Sequence, residues 1–365
     1  MPTSKPLILH TESSRGLGGQ ELRILTEVRW LLDAGWGALV AGQPGSHLVT
    51  EAGAAGLPVV EIAMRGATDL RALLALRRLM RRRQVALVHT HSSVDSWLAG
   101  LAARSLGRRV VRGRHVSIPI PRRRALVYRI ADRVLTTGEA IRQIVIAAGV
   151  PAARVISVPA GIDTRRFHPG VSGKTVRDEL GLTGPVVGLV ANIRGSKGHN
   201  DFLEAARRVL AAMPDTRFLI VGAGVGFDEV SRRVREMGLA AAVIMTGFRR
   251  DVPEVMAALD VLALPSTRSE ATSQVIPQAF AVGTPAVGTA VGGIPEIIQD
   301  GVTGRLVAPG DPAALAGAIL ALLRDPAAAR AMAEAGRRLV LERLTVDAMM
   351  ATTTRVYADL LGRAP

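Results

Sequence analysis

One alternation constrains the fold more than any other feature, and the chain carries it twice: a short apolar run, a turn, an amphipathic stretch, then the next apolar run. Between residues 6 and 158 the apolar runs fall at Leu7 to His10, Ala38 to Ala41, Val59 to Ile62, Ala86 to Thr90, Arg109 to Arg112, Arg133 to Thr136 and Val155 to Val158. Runs this short, separated by helix-length amphipathic segments, predict parallel strands covered by helices on both faces, a doubly wound α/β sheet. A second series opens at VVGLVANI (186–193), continues through FLIVGAGVG (218–226), and ends in helices expected over Pro312 to Leu323, Ala327 to Leu344 and Val346 to Leu361. At 365 residues the chain is too long for one average domain and suits two of similar size. The polar, glycine-containing stretch from Gly170 to Pro185 reads as a linker, so the boundary belongs between about 160 and 184.

Composition removes several function classes. Hydrophobic residues make up 48% of the chain, yet no apolar run reaches the roughly 18 residues a membrane span needs. The N-terminal MPTSKPLILH lacks a signal-peptide layout, and with no cysteine there is neither a disulfide framework nor a thiolate metal site; the cytoplasm is the expected compartment. The formal charge of +15 is concentrated in the first half, where residues 1 to 170 hold 25 Lys and Arg against 11 Asp and Glu, while the remainder holds 21 against 20. Such a field favours anionic partners: phosphates, acidic glycans, anionic lipid heads or nucleic acid. It also suits a plain arginine bias, since 43 of the 46 basic residues are Arg. A nucleic-acid-binding protein is the weaker reading, because aromatics amount to only 3% and no recognition motif is present.

The residues to watch lie just past strand ends, where ligands collect in such sheets. Gly18 and Gly19 precede a helix expected near Gln20; the loop is either an ordinary turn or a place where backbone approaches a phosphate. Asp69 to Arg83 predicts a helix with one apolar and one basic side, either solvated or resting on an anionic membrane surface. His89 and His91 share one face of a strand, but no third metal ligand is near them in sequence, and no metal site is expected. Gly222-Ala223-Gly224 lacks the last glycine of a dinucleotide fingerprint, that place being Phe227. In LPSTRSEATSQVIPQAFAVGTPAVGTAVGGIP (264–295), Glu270 stands before Ala271, Thr272, Ser273 and Gln274 at a helix expected to open near Thr272. The free N–H groups of such an end donate to hydroxyls or anions.

This last segment resembles the donor-sugar site of retaining glycosyltransferases of family 4, whose signature is two glutamates with seven residues between them, a Gly-x-Pro strand and a Gly-Gly-x-Pro-Glu turn. Glu270, Gly283-Thr284-Pro285 and Gly292-Gly293-Ile294-Pro295-Glu296 match, while Gln278 stands in the second glutamate's place. VPAGIDTRRFHP (158–169) resembles the family's hinge. The resemblance implies the GT-B fold: an α/β protein with two Rossmann-like doubly wound domains facing a cleft. Residues 1–165 would be the acceptor-binding domain, 166–345 the nucleotide-sugar domain, and 346–365 a helix crossing back onto the first domain.

It also implies site roles. Glu270 would orient the sugar, His115 would lie near the reacting sugar, although a lone histidine is commonly structural, and Lys197 with Arg194 would neutralise the departing diphosphate. The family's usual arginine place is occupied by Asn192. Donor contacts are expected from Gly18, Gly19, Asn192, Gly247, Phe248 (equally readable as core), Ala271, Thr272, Ser273, Gln274, Val275 and Gln278. His91 and the proline-flanked Arg122, Arg123 and Arg124 are the acceptor-side candidates. With no Asp-x-Asp in the chain, no divalent metal or other cofactor is expected. The implied activity is metal-independent sugar transfer, with retention, from a nucleotide-diphosphate sugar to an anionic or lipid-linked glycan such as lipopolysaccharide core or capsule. Localisation would be cytoplasmic, on the inner face of the plasma membrane if the basic helix docks there. A non-catalytic sugar-nucleotide-binding protein is the alternative that Gln278 and Asn192 raise.

Overall fold

A computed structural model of the chain describes residues 6–362 apart from Leu17, Ser269 and the side chains of Arg122 and Arg123, so the expectations for those two arginines lie outside the described residues. The chain divides into two compact units: Met1–Gly161 with Val346–Pro365, and Ile162–Thr345. The division falls four residues before the expected 165, because Ile162 donates its N–H to the Leu344 carbonyl at 2.7 Å and packs, with Phe167, into the second core.

The first unit is a parallel sheet of β1 (Leu7–Glu12), β2 (Gly37–Gly42), β3 (Val59–Glu61), β4 (Leu87–Thr90), β5 (Arg109–Arg114), β6 (Arg133–Thr136) and β7 (Val155–Ser157), in the order β3-β2-β1-β4-β5-β6-β7. Its crossovers are α1 (Gly19–Asp33), α2 (His47–Ala54), α3 (Leu70–Arg82), α4 (Ser93–Arg104) and α5 (Glu139–Ala147). A 3-10 segment, Arg122–Arg129, stands between β5 and β6. Alternation along the strands sends Leu9, Val88, Val110 and Val134 to one face and Ile8, Leu87, Val111 and Leu135 to the other, and each set nucleates its own core.

The second unit repeats the design with β8 (Val186–Val190), β9 (Arg217–Val221), β10 (Val243–Gly247), β11 (Val261–Leu264), β12 (Ala286–Thr289) and β13 (Arg305–Val307), ordered β10-β9-β8-β11-β12-β13. Its helices are α6 (Lys174–Glu179), α7 (His199–Ala212), α8 (Phe227–Glu236), α9 (Val252–Ala258), α10 (Val275–Val282), α11 (Pro312–Arg324) and α12 (Pro326–Arg343). The last helix, α13 (Val346–Leu361), belongs to the first unit: Met349, Met350, Val356 and Tyr357 complete the core that holds Ile8, Ile24 and Leu31. No helix among the described residues is by itself long and apolar enough to cross a membrane.

Two expectations fail here: the stretch 170–185 is no linker, since it carries α6 and buries Val176 and Leu182 in the second core, and one helix boundary is wrong. α10 opens at Val275 rather than near Thr272. Residues 271–274 stay irregular because the Gly292-Gly293 turn holds the loop ahead of them, Gly293 donating its N–H to the Glu270 carbonyl at 3.2 Å. Pro277 falls inside the first turn of α10, where a missing N–H leaves no helix bond unmade.

Candidate active site

In the second unit the loops after β8 and β11 bring a cation and a carboxylate together. Lys197 Nζ donates to Glu270 Oε2 at 2.6 Å, and Ser266 Oγ donates to the same oxygen at 2.7 Å. Thr289 Oγ1, at the end of β12, donates to the Ser266 carbonyl at 2.6 Å and so fixes the strand end that carries Ser266. Lys197 and Glu270 are 9% and 6% exposed, so their attraction is only weakly screened by water. Two glycines make this approach possible. A Cβ on Gly198 would lie 1.8 Å from the Pro265 carbonyl oxygen, and one on Gly292 would lie 1.9 Å from that of Glu270; both have positive φ, +69° and +56°.

Beside Glu270, the backbone N–H groups of Ala271, Thr272, Ser273 and Gln274 donate to nothing among the described residues, as the sequence leads one to expect. The Thr272 hydroxyl is also buried without a partner among the described residues. A row of free donors next to a buried carboxylate suits a ligand rich in hydroxyls and charged oxygens. Val275 and Gln278 are half-buried on the first turn of α10, and the Gln278 side chain makes no hydrogen bond among the described residues. Asn192 and Arg194 are exposed, and the Arg194 guanidinium is free of hydrogen bonds and ion pairs among the described residues. Phe248 is 62% exposed beside Gly247, which removes the core reading of that ring. His199, two residues beyond Lys197, was not anticipated; burial, with Lys197 adding, lowers its pKa to about 4.

The first unit holds a second polar constellation, at the ends of β1, β4 and β5. His115 Nε2 lies 3.1 Å from His91 Nδ1, and His91 Nε2 lies 3.0 Å from His10 Nδ1. His91 therefore has no free ring nitrogen, and the expectation that it contacts a sugar or acceptor hydroxyl is corrected: it stands behind His115. Glu27 Oε2 is 3.8 Å from His10 Nδ1 and 3.6 Å from His89 Nδ1, while Arg23 Nε donates to Glu27 Oε1 at 2.6 Å. His89 Nδ1 meets the Tyr357 hydroxyl at 2.7 Å. The statement that His89 and His91 lack further metal ligands thus holds along the chain but not in space, since one atom from each of His10, Glu27, His89 and His91 falls within a 4.8 Å cluster. Burial holds His10 down at about 4 and His89, His91 and His115 well below the ordinary imidazole value.

Gly18 and Gly19 open α1, but the Gly18 N–H is already taken, donating to Glu21 Oε2 at 2.8 Å in a capping box. Nearby Glu12 is fully buried and pushed up to about 8, first by burial and then by Asp95. Arg124, on the acceptor side of the expectation, is exposed. Sequence reading missed His10, Glu12, Glu27, Ser266 and Thr289; each acts on a partner distant in sequence, and only strand order brings them together.

Two doubly wound parallel domains, the second presenting a buried lysine–glutamate pair and a row of free N–H groups at its strand ends, define the GT-B class. Residues 17–166 match the model described as Glycosyltransferase Family 4, and residues 184–325 the model described as Glycosyl transferases group 1. A GDP-mannose-dependent alpha-(1-6)-phosphatidylinositol monomannoside mannosyltransferase of Mycolicibacterium smegmatis is 33% identical over 262 residues, 67% of this chain and 69% of that protein. A 2-deoxystreptamine glucosyltransferase of Streptomyces kanamyceticus is 33% identical over 227 residues, 60% of this chain and 58% of that protein. The chain spans about half to two-thirds of the length of the curated relatives it matches. Among solved structures, Anabaena HepE in complex with UDP superposes with a TM-score of 0.88 at 22% identity, over 97% of this chain and 100% of that one. A glycosyltransferase from Rickettsia africae gives 0.90 at 19% identity, over 99% and 100%. The chain belongs to the family-4, group 1 glycosyltransferases.

Proposed function

We propose that the protein transfers a sugar, with its anomeric configuration kept and without a divalent metal, from a nucleotide-diphosphate donor to a hydroxyl of an anionic or lipid-linked envelope glycan. The observation that carries this reading is the Lys197–Glu270 contact at 2.6 Å beneath the free N–H row of residues 271–274. A diphosphate arriving at Lys197 competes with Glu270 for the ammonium group. It draws the cation to the leaving group, where negative charge grows in the transition state, and frees Glu270 to accept hydroxyls from the sugar ring. Arg194, uncommitted and exposed, adds a forked donor for phosphate. Gln278 holds ribose by donating one hydrogen bond and accepting one, as an amide can. His115, at the end of β5, serves the reacting sugar.

Support for an anionic acceptor comes from the charge of the first half and from relatives whose names include a phosphatidylinositol mannoside mannosyltransferase and D-inositol 3-phosphate glycosyltransferases. Arg124 and its neighbours Arg122 and Arg123 are the assigned acceptor contacts. Docking on the inner face of the plasma membrane is assigned to α3, where Leu70 and Leu74, 72% and 48% exposed, stand among the exposed Arg71, Arg78, Arg81 and Arg82. Co-sedimentation with phosphatidylglycerol vesicles but not with neutral ones, lost on replacing those arginines, tests that assignment.

The test of the whole reading is a thermal-shift screen against UDP-, GDP-, ADP- and CMP-linked sugars, followed by turnover with and without EDTA. A true donor at 100 times its Kd stabilises the fold by about 2.7 kcal/mol. No shift with any donor overturns the proposal. A shift without turnover turns it into the sugar-nucleotide sensor, and loss of turnover in EDTA restored by Mn²⁺ removes metal independence.

A further inference from the structure

The geometry points to His91 and His10 as positioning residues that hold the His115 ring in one orientation and one tautomer through a continuous imidazole chain. The inference rests on the role given to His115 above and adds what sets its state. The His115 and His91 rings are tilted by 28° with centroids 5.3 Å apart, and His91 and His10 by 13° at the same separation; both contacts are nitrogen to nitrogen, at 3.1 and 3.0 Å. A neutral imidazole has one N–H and one lone pair. With both nitrogens of His91 engaged, only two proton arrangements are consistent, all three rings donating outward or all three inward.

Two features choose the outward one. Glu27 Oε2 lies 3.8 Å from His10 Nδ1, which favours a proton on that nitrogen. The opposite nitrogen, His10 Nε2, is buried without a partner among the described residues, and a bare lone pair is tolerated there more readily than an orphaned N–H. His10 Nδ1–H then donates to His91 Nε2, and His91 Nδ1–H donates to His115 Nε2. The proton of His115 is left on Nδ1. Space for the chain is built into β5: a Cβ on Gly113 would fall 2.6 Å from His115 Nε2 and 3.0 Å from His91 Nδ1. A cation held by His10, Glu27, His89 and His91 is the competing use of the cluster. His10 Nε2, His89 Nε2 and Glu27 Oε2 have no hydrogen-bond partner among the described residues, but a cation that also took His91 would have to break its contact with His10 or with His115.

The test is two-bond ¹H–¹⁵N spectroscopy of the full chain with labelled histidine, which reads the tautomer of each ring. The expected spectrum shows His115 protonated at Nδ1 with Nε2 accepting. His91→Phe and Gly113→Ala should abolish that pattern, and His91→Gln, which can still donate and accept, should restore it in part. In turnover with the donor found in the screen, His91→Phe should lower kcat by about tenfold with donor KM changed less than about twofold. Adding His91→Phe to His115→Ala should cost nothing further. If His91→Phe does not fold, Gly113→Ala and His91→Gln carry the test. An unchanged His115 spectrum in His91→Phe or Gly113→Ala overturns the chain, as does a stoichiometric transition metal retained by the purified protein and lost in His10→Ala. Full turnover by His115→Ala would instead remove the role of His115 on which the inference rests.

Discussion

At the scale of single residues, the site depends on what stands around Glu270 as much as on the carboxylate itself. Oε2 accepts from both Lys197 and Ser266, so removing the ammonium to a diphosphate leaves Ser266 as the group that keeps the carboxylate aimed. Glu270→Ala should therefore lower kcat by about two orders of magnitude, the range for one preorganised group, with a small change in donor KM. Gln278→Ala should show the reverse split, raising donor KM more than it lowers kcat. Ser266→Ala deletes one hydrogen bond to a charged group, a loss of roughly 1.5 to 3 kcal/mol, so kcat should fall by about tenfold or more. Steady-state kinetics of the three variants decides the roles; a kcat effect concentrated in Gln278→Ala would show them to be exchanged. Glu270 and Lys197 stand out in the sequence because each lies in a segment that resembles the family's motifs. Ser266 does not, since nothing in a Pro-Ser-Thr loop says which oxygen will accept its proton.

At the scale of elements, VVGLVANI overruns β8 by three residues and the half-buried β13 goes unread, whereas the strands of the first unit are read within one or two residues because each is a short apolar run between turns, and burial on both faces leaves few alternatives. The start of α10 is not, because a long-range bond from Gly293 to Glu270 outweighs local preference over residues 271–274. The assignment of α13 to the first unit follows from its buried face, and the polar contact in that face is Tyr357 on His89. Tyr357 is fully buried, and burial holds its hydroxyl well above the ordinary phenol value. Tyr357→Phe leaves the ring in place and strands His89 Nδ1, for a loss of about 1 to 3 kcal/mol. Tyr357→Ala opens a cavity and should lose about 3 to 5 kcal/mol. Urea unfolding followed by tryptophan emission measures both. Equal midpoints for Tyr357→Phe and the parent chain would show that the His89 contact contributes nothing.

At the scale of the molecule, the two domains carry different proton accounts and should part company in acid. His10, His89, His91 and His115, all in the first unit, have folded pKa values depressed below the ordinary 6.5, His10 to about 4. Stability from such groups is present above 6.5 and is lost as pH falls through the folded value. Glu12, raised to about 8, and Asp95, also raised, run the other way: their contribution is present below the unfolded carboxyl value and lost as pH rises. When the first domain unfolds in acid its four histidines take up protons and its two carboxylic acids give theirs up, so the more numerous histidines set the sign and stability falls as the pH drops below 6.5. In the second unit His199 is the depressed histidine and Asp201 moves in the opposite direction, while the lowered Glu179, Asp251 and Asp300 lose their contribution only below the ordinary carboxyl range, so little net uptake remains above pH 5. The chain supplies its own reporter, because Trp30, Trp36 and Trp97 all lie in the first unit. Lowering the pH from 6.5 to 5 should therefore move the thermal transition seen by tryptophan emission down ahead of the one seen by far-ultraviolet circular dichroism, which reports both domains. Coincident transitions that shift together, or emission indifferent to pH over that range, would mean that the buried histidines do not govern the stability of the first domain.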